Sequence, residues 1–241
     1  LDLFPEAIDE REELTFVAER GRVEGRAELR YEGLVIDASP LRRLPPAASE
    51  LLRQAALSAG PGRFVRDPEA LVDLQARAAF AAAHDPAIPT LDDAWLRDLL
   101  GRLCEGLSSF AELERADLLG HVRAELLAAG DRLDRLAPTH ARLAGGRRAP
   151  IRYSVDQPPA LASRLQDFFG MERGPSVADG RVPVVLHLLA PNGRDVQVTT
   201  DLAGFWDRHY PELRRALMRR YPRHAWPEDP RQPPPPRPPR R

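Results

Sequence analysis

The chain has 241 residues, 43% of them hydrophobic and 29% charged, which is enough for one large domain or two small ones with a buried core. All 35 basic residues are arginine, so the lysine of a phosphate-binding P-loop or of Schiff-base catalysis is missing from this chain. A single cysteine, Cys104, excludes an internal disulfide and a Cys-x-x-Cys zinc site.

The hydropathy pattern predicts neither a membrane span nor an export signal. The longest apolar run, over residues 182–190, is far shorter than the roughly 20 residues that cross a bilayer. We therefore expect a cytoplasmic protein. The chain begins with Leu1 and not with methionine, which we interpret as a piece of a longer protein or a processed product.

The net charge of −1 hides an uneven distribution. Residues 1–150 hold 20 arginines against 26 acids, whereas residues 151–241 hold 15 arginines against 10 acids. Such an asymmetry is typical of a protein with a polyanionic partner. A solvated arginine surface would give the same composition, so the two interpretations stay open at this point.

The first elements in chain order are strands. From Val23 to Tyr31, apolar residues alternate with charged ones, which is the period of a half-buried strand. Glu32-Gly33 predicts a turn, residues 34–36 a second strand, and residues 14–17 a third. We expect a short antiparallel meander over about 14–38.

Residues 47–136 have helical spacing and predict four or five helices packed as a small bundle. The sequence Asp-Pro-Glu at 67–69 is typical of a helix start. An apolar stripe runs over residues 91–103, and Cys104 continues it. We therefore interpret this cysteine as a small buried hydrophobe and not as a nucleophile.

Two capping boxes are predicted within this helical region. Thr90 is followed three residues later by Asp93, and Ser109 by Glu112. In this motif the hydroxyl accepts from the backbone of the first turn, and the later side chain reaches back to the cap.

Residues 149–200 predict a mixed region with a strand over 151–155 and a short helix over 159–169. Two further strands, 182–189 and 196–199, flank Asn192-Gly193, a pair that supplies the positive φ angles of a tight β-hairpin. His187 lies in a strand that is apolar on both sides. We interpret it as a hydrogen-bonded core histidine and not as a ligand.

The last folded segment predicts a short helix over 201–206 and a longer one over 209–220. In the longer helix, Arg215 and Arg219 lie opposite the apolar face. Residues 230–241 contain seven prolines and four arginines. We expect them to form a disordered, extended tail outside the core.

No catalytic motif is present: the chain lacks HExxH, GxSxG, GxGxxG and an EF-hand loop. His209 and Glu212 are three residues apart at a helix start, but the sequence offers no further ligands to complete a metal site with them. We expect no catalytic, cofactor-binding or metal-binding residues in this segment. The residues alone predict an α+β accessory region with a short antiparallel meander, a helical bundle region and a mixed β-hairpin and helix C-terminal part.

Three segments carry a family resemblance: residues 136–148, 180–206 and 219–230. They resemble the C-terminal region of HrpB-type ATP-dependent helicases, the bacterial DEAH-box family, and DLAGFW and RYPRHAWPEDP are the most specific sequences. The preceding residues resemble the adjoining part of the family more weakly. We expect a meander that ends a β-rich domain at 1–45, a helical region at 46–136, the helicase C-terminal α+β domain at 137–229 and the tail at 230–241.

The resemblance implies a parent protein that binds ATP and Mg and hydrolyses ATP to move along or unwind nucleic acid. The ATPase residues would lie upstream of Leu1, in RecA-like motor domains, so this segment alone is not expected to be an enzyme. The implied partners are those motor domains and nucleic acid, with single-stranded RNA the expected form.

The basic end supplies the candidate contacts with nucleic acid. Arginine forks suit phosphate oxygens, and exposed aromatic rings stack on bases. The candidate residues are Arg147, Arg148, Arg152, Arg194, Arg214, Arg215, Arg219, Arg220, Arg223 and Trp226, with Trp206 and Tyr221 as further rings.

Several alternatives stay open. The arginines would also suit a solvated surface or contact with the motor, and packing on the sheet is the favoured interpretation of Trp206. The segment would otherwise be a protein-interaction module that docks through its Pro/Arg tail, or a brace for the motor with no ligand of its own.

Overall fold

The computed structural model describes residues 8–127, 129 and 131–232, and within them it mixes helices with four small sheets. This confirms the predicted α+β class. The chain divides into two units. The N-terminal unit comprises Leu1–Val72 and Leu91–Glu125, and the C-terminal unit comprises Asp73–Thr90 and Leu126–Arg241.

The N-terminal unit begins with the predicted antiparallel meander, β1 (Ile8–Val17), β2 (Arg22–Tyr31) and β3 (Leu34–Pro40), in that order across the sheet. Glu32-Gly33 forms the expected turn, with φ of 46° and 84°. β1 starts earlier than predicted, because Ile8 and the charged residues 9–13 pair with β2 although they have no apolar alternation.

The apolar face of the meander packs on the helices of the same unit. Val23 is buried with Leu52 and Leu100, and Leu14 and Phe16 pack against that cluster. The helices and the sheet thus share one core, which stabilises a three-stranded sheet that would be marginal alone.

The described part of residues 47–136 contains six α-helices and a 3₁₀ turn where four or five helices were predicted. The difference arises because Asp117, with a positive φ of 51°, interrupts what the spacing presents as one helix. The elements are α1 (Ala47–Ala59), a 3₁₀ turn (Pro61–Phe64), α2 (Pro68–Ala82), α3 (Asp93–Leu103), α4 (Phe110–Arg115), α5 (Leu118–Leu127) and α6 (Arg132–Leu136).

The helix starts confirm two of the three predicted signals. Asp67 accepts from the Ala70 amide at 3.0 Å at the start of α2. The prediction of a capping box at Thr90 and Asp93 is wrong. α3 starts at Asp93, and its cap is Asp92, whose side chain accepts from the Trp95 amide at 2.8 Å.

The capping box of Ser109 and Glu112 is present at the start of α4. The Glu112 amide donates to Ser109 Oγ at 3.3 Å, and the Glu112 carboxylate accepts from the Ser108 amide at 2.9 Å and from Ser109 Oγ. These bonds hold the pKa of Glu112 below its usual value.

Replacing Ser109 with alanine is expected to lower the free energy of unfolding by about 0.5–2 kcal/mol, because the cap is lost. Ser109→Thr, which keeps a hydroxyl that both accepts from the Glu112 amide and donates to the Glu112 carboxylate, should cost less. Urea unfolding followed by circular dichroism measures both. Equal midpoints for the alanine variant and the wild type would show that the box does not stabilise α4.

Cys104 is buried in the core of the N-terminal unit, as predicted. Burial raises the pKa of its thiol to about 11. The thiolate is therefore scarce at neutral pH, which agrees with a packing role and not with a nucleophile.

The C-terminal unit is built on short strands followed by two helices. β4 (His140–Arg142) and β5 (Arg148–Pro150) form an antiparallel hairpin, and β7 (Ser176–Val177) pairs with β8 (Val182–Pro183). A separate sheet has the order β10 (Asp195–Thr199), β9 (Val185–Leu189), β6 (Ala160–Arg164), with β6 parallel to β9. The helices are α7 (Leu202–Arg208) and α8 (Tyr210–Arg220).

Two predictions in this unit are wrong. Residues 159–169 form β6 and a 3₁₀ turn (Leu165–Phe168) instead of a helix, because the buried side chains alternate along β6 and its backbone pairs with β9. The strand predicted at 151–155 lies earlier, at 148–150. Only an isolated bridge from Arg152 to Ala160 continues it.

The hairpin of β9 and β10 is confirmed. Gly193 has φ of 83°, and Asn192 Oδ1 accepts from the Arg194 amide at 3.3 Å. The prediction of a core histidine at position 187 is wrong. The His187 side chain is 38% exposed and its Nδ1 lies 3.5 Å from Asp195 Oδ1, so it is a half-exposed strand residue.

Helices α7 and α8 occupy the predicted positions and pack their apolar residues on the sheets of the C-terminal unit. The buried cluster includes Leu186, Phe168, Phe205, Trp206 and Tyr210. No helix in the described ranges is long and apolar enough to cross a membrane. The predicted tail is wrong at its start, because Pro230 is buried and Arg231 Nη2 lies 2.6 Å from Asp207 Oδ1. Residues 233–241 of the tail lie outside the described residues.

Candidate nucleic-acid interface

The sequence DLAGFW, at residues 201–206, forms a helix start and part of the core. Asp201 caps α7 by accepting from the Gly204 amide at 2.8 Å, and its carboxylate also binds Arg208 at 2.8 Å. Both contacts lower the pKa of Asp201. A side chain at Gly204 would collide with the Asp201 carboxylate and the Arg208 guanidinium, so both exposed side chains would have to move and their ion pair would be disturbed. Trp206 is buried and donates from Nε1 to the Met171 carbonyl at 2.8 Å.

The second specific sequence, RYPRHAWPEDP at residues 220–230, folds back over α8. The Tyr210 hydroxyl donates to the Pro227 carbonyl at 2.9 Å, and Arg214 Nε donates to the Trp226 carbonyl at 2.9 Å. The Gly170 amide donates to the Pro230 carbonyl at 2.8 Å. These bonds attach the segment to the body of the unit.

Trp226 is part of the core and is removed from the candidate contacts. Its side chain lies in the main buried cluster at 7% exposure, and Nε1 donates to the Tyr221 carbonyl at 3.1 Å. No face of the ring is open to a base. The packing interpretation of Trp206 is confirmed for the same reason.

Arg214 is held within the unit. Besides its bond to the Trp226 carbonyl, its guanidinium lies 3.6 Å from Glu228 Oε1, and only 23% of the side chain is exposed. We therefore no longer count Arg214 among the candidate phosphate contacts. Its bonds position the folded-back segment instead.

Four other candidates lie on or just after α8. Arg215, Arg219 and Arg223 are exposed and have no ion pair among the described residues. The guanidinium of Arg220 lies 5.7 Å from the ring centroid of Tyr221, which is half-buried. Among the described residues, α8 thus carries two exposed arginines with neither an ion pair nor a ring contact, and a third, Arg223, follows its end.

The remaining candidates lie on the strands. Arg147 is in the turn between β4 and β5, with Nη1 3.6 Å from Asp167. Arg148 and Arg152 are exposed, and Arg194 is exposed in the turn between β9 and β10. The candidates therefore form one group on α8 and another on the strands.

Arg142, which also belongs to this second group, was missed. Arg142 lies directly opposite Arg148 in the β4–β5 hairpin, and both are exposed. The turn sequence Gly-Gly at 145–146, in which Gly146 has φ of 75°, is the signal that would have revealed the hairpin and its register.

Comparison with known proteins identifies the family of this chain. Residues 95–230 match the family described as ATP-dependent helicase C-terminal, HrpB type. This chain belongs to that family. The match covers both specific sequences described above, DLAGFW and the segment after α8.

Similar proteins come from Escherichia coli. The chain is 40% identical over 151 residues to the ATP-dependent RNA helicase HrpB. The aligned region covers 62% of this chain and 18% of that protein. It resembles the crystal structure of the DExH-box NTPase HrpB with a TM-score of 0.71 at 30% identity, covering 95% of this chain and 29% of that one. It also resembles a second crystal structure, of the DEAH/RHA helicase HrpB, with a TM-score of 0.61 at 30% identity. This match covers 92% of this chain and 29% of that one. This HrpB-type region thus spans less than a third of its relatives.

The residues present do not suit ATP and Mg. The chain has no lysine for a P-loop, and no group of three or more metal-ligating side chains occurs among the described residues. We therefore assign no step of ATP hydrolysis to this region.

Proposed function

We propose that this chain is an accessory region of an ATP-dependent RNA helicase and that its C-terminal unit contacts the nucleic acid. The observation that carries this proposal is the set of exposed arginines that no acid neutralises in the described chain. In the parent helicase, ATP and Mg would act outside this region. The parent would thus supply the energy, and this region would hold the strand.

The chemistry of these side chains favours contact with phosphates over contact with bases. A guanidinium presents a planar fork of N–H donors that matches two phosphate oxygens. The two tryptophans of the C-terminal unit are buried. The region would therefore hold the backbone of a strand without reading its sequence.

A second candidate function is bracing of the helicase motor. On the edge strand β3 of the N-terminal unit, Leu34, Val35 and Ile36 are 72%, 49% and 46% exposed. Apolar side chains on an unpaired edge favour contact with another polypeptide segment. This candidate needs no ligand of its own and concerns the other unit.

Binding to single-stranded RNA tests the proposed function. We expect fluorescence anisotropy with a labelled oligouridylate of about 16 nucleotides to show binding at about 50 mM salt. Because released counterions drive the contact, affinity should fall by at least about tenfold at 200 mM. Absence of binding at both salts would refute the nucleic-acid role and leave bracing as the function.

A further inference from the structure

A row of arginines crosses neighbouring strands of the C-terminal unit on the side away from its core. In the β4–β5 hairpin, Arg142 lies opposite Arg148 and Ala141 lies opposite Ala149. Both alanines are buried. Since side chains alternate along a strand, both arginines lie on the outer face.

Arg164 extends this row to β6. Arg152 and Ala160 form an antiparallel bridge in which each amide donates to the other residue's carbonyl, at 2.8 and 3.0 Å. The bridge is isolated, but β5 and β6 are in contact beyond it, and its register continued by four residues would bring Arg148 beside Arg164. Ser163 is buried and Arg164 is exposed, so Arg164 also lies on the outer face. Adjacent strands are about 4.8 Å apart, so the row spans about 10 Å.

No acid neutralises this arginine row of Arg142, Arg148 and Arg164. None of the three has an ion pair or a side-chain hydrogen bond in the part of the chain that the structure describes. Asp167 is hydrogen-bonded to Ser163 at 2.6 Å, and Asp195 faces His187. Their carboxylates are thus engaged elsewhere.

The residues beside the row include short and cyclic side chains. His140 lies opposite Pro150, and the bridge register would bring Pro150 beside Ala162, on the outer face. Arg152, two residues beyond Pro150, is exposed on the same face and adds a further positive charge.

We propose that the arginine row is the main contact of this region with single-stranded RNA and that it binds the phosphate backbone. This inference rests on the proposed function and locates it on the strands instead of on α8. Three arginines on the outer face, unpaired among the described residues, would meet phosphates of one strand through their guanidinium forks.

A charge-matched pair of variants tests this location. The triple variant Arg142→Gln, Arg148→Gln, Arg164→Gln removes the row, and Arg215→Gln, Arg219→Gln, Arg223→Gln removes three exposed, unpaired arginines from α8 and the segment after it. We expect the first to weaken binding of the oligouridylate at least about tenfold and to reduce the slope of log K against log salt by about 2. The second should change affinity by less than about threefold.

The outcomes separate this proposal from the proposed function. Loss in the row variant alone supports the row. Equal losses in both variants, or loss in the α8 variant alone, overturn the row while the nucleic-acid role stands. If the wild type does not bind, the proposed function fails and the row fails with it. Matching circular-dichroism melts of the two variants show that folding is not the cause.

A second measurement does not depend on removing charge. Because the chain has no lysine, Arg148→Lys introduces its only side-chain amine, and Arg215→Lys does the same on α8. RNA at about ten times its Kd should slow acetylation of residue 148 by an N-hydroxysuccinimide ester about tenfold, as read by mass spectrometry. Residue 215 should change less than about twofold. Equal rates at residue 148 with and without RNA would overturn the proposal.

Discussion

Replacing Trp226 with alanine is expected to lower the free energy of unfolding of the C-terminal unit by about 3–5 kcal/mol. The indole is almost wholly buried, and its centroid lies 6.4 Å from that of Phe169 in an edge-to-face contact at 80°. The substitution removes this packing and also the bond from Nε1 to the Tyr221 carbonyl. Urea unfolding followed by near-ultraviolet circular dichroism measures the change.

The control for this prediction is Arg223→Ala, three residues upstream and exposed, which should change stability by less than about 0.5 kcal/mol. Trp226→Phe, which keeps a ring but loses the N–H donor, should lie between the two. An unchanged unfolding midpoint for Trp226→Ala, together with weaker RNA binding, would restore this residue as a base contact.

The second large effect is expected at Leu186, in the middle of β9. Its side chain is fully buried, so Leu186→Ala should cost about 2–5 kcal/mol. A Cβ at Gly174 would lie 2.9 Å from Leu186 Cδ1, so Gly174→Ala alone should cost about 1–3 kcal/mol through overpacking. The two side chains thus compete for one space.

The double variant Gly174→Ala, Leu186→Ala is expected to be more stable than the sum of the single changes predicts, by at least about 0.5 kcal/mol. The added methyl group would fill part of the space that Leu186 leaves. Leu127→Ala, at an exposed position, serves as the matched control and should be nearly neutral. Strict additivity of the two changes would show that the residues do not share this space.

The misread segment 159–169 shows why part of the fold was beyond the sequence. Leu161 and Leu165 are four residues apart and fit a helix, but with Ser163 between them they also fit the buried side of a strand. A buried serine looks polar in the sequence. Only the structure shows that the Ser163 hydroxyl donates to Asp167 at 2.6 Å and that β6 pairs with β9.

The sequence likewise predicts only part of the candidate interface. The sequence shows a surplus of arginine after residue 150, but it does not distinguish Arg214 from Arg215. The first is held by the Trp226 carbonyl and Glu228, and the second is exposed. Arg164 was missed because the arginine row depends on three strands that are neighbours only after folding.

By itself, the sequence determined the features that depend on neighbouring residues: the meander, the cap at Ser109, the turn at Asn192-Gly193 and the start of α2. Backbone geometry and hydrogen bonds within a few residues decide these. The family membership also follows from local sequence. The tertiary structure alone decided which strands pair, which ionised groups are engaged and which tryptophans are buried, because each depends on contacts between segments far apart in the chain.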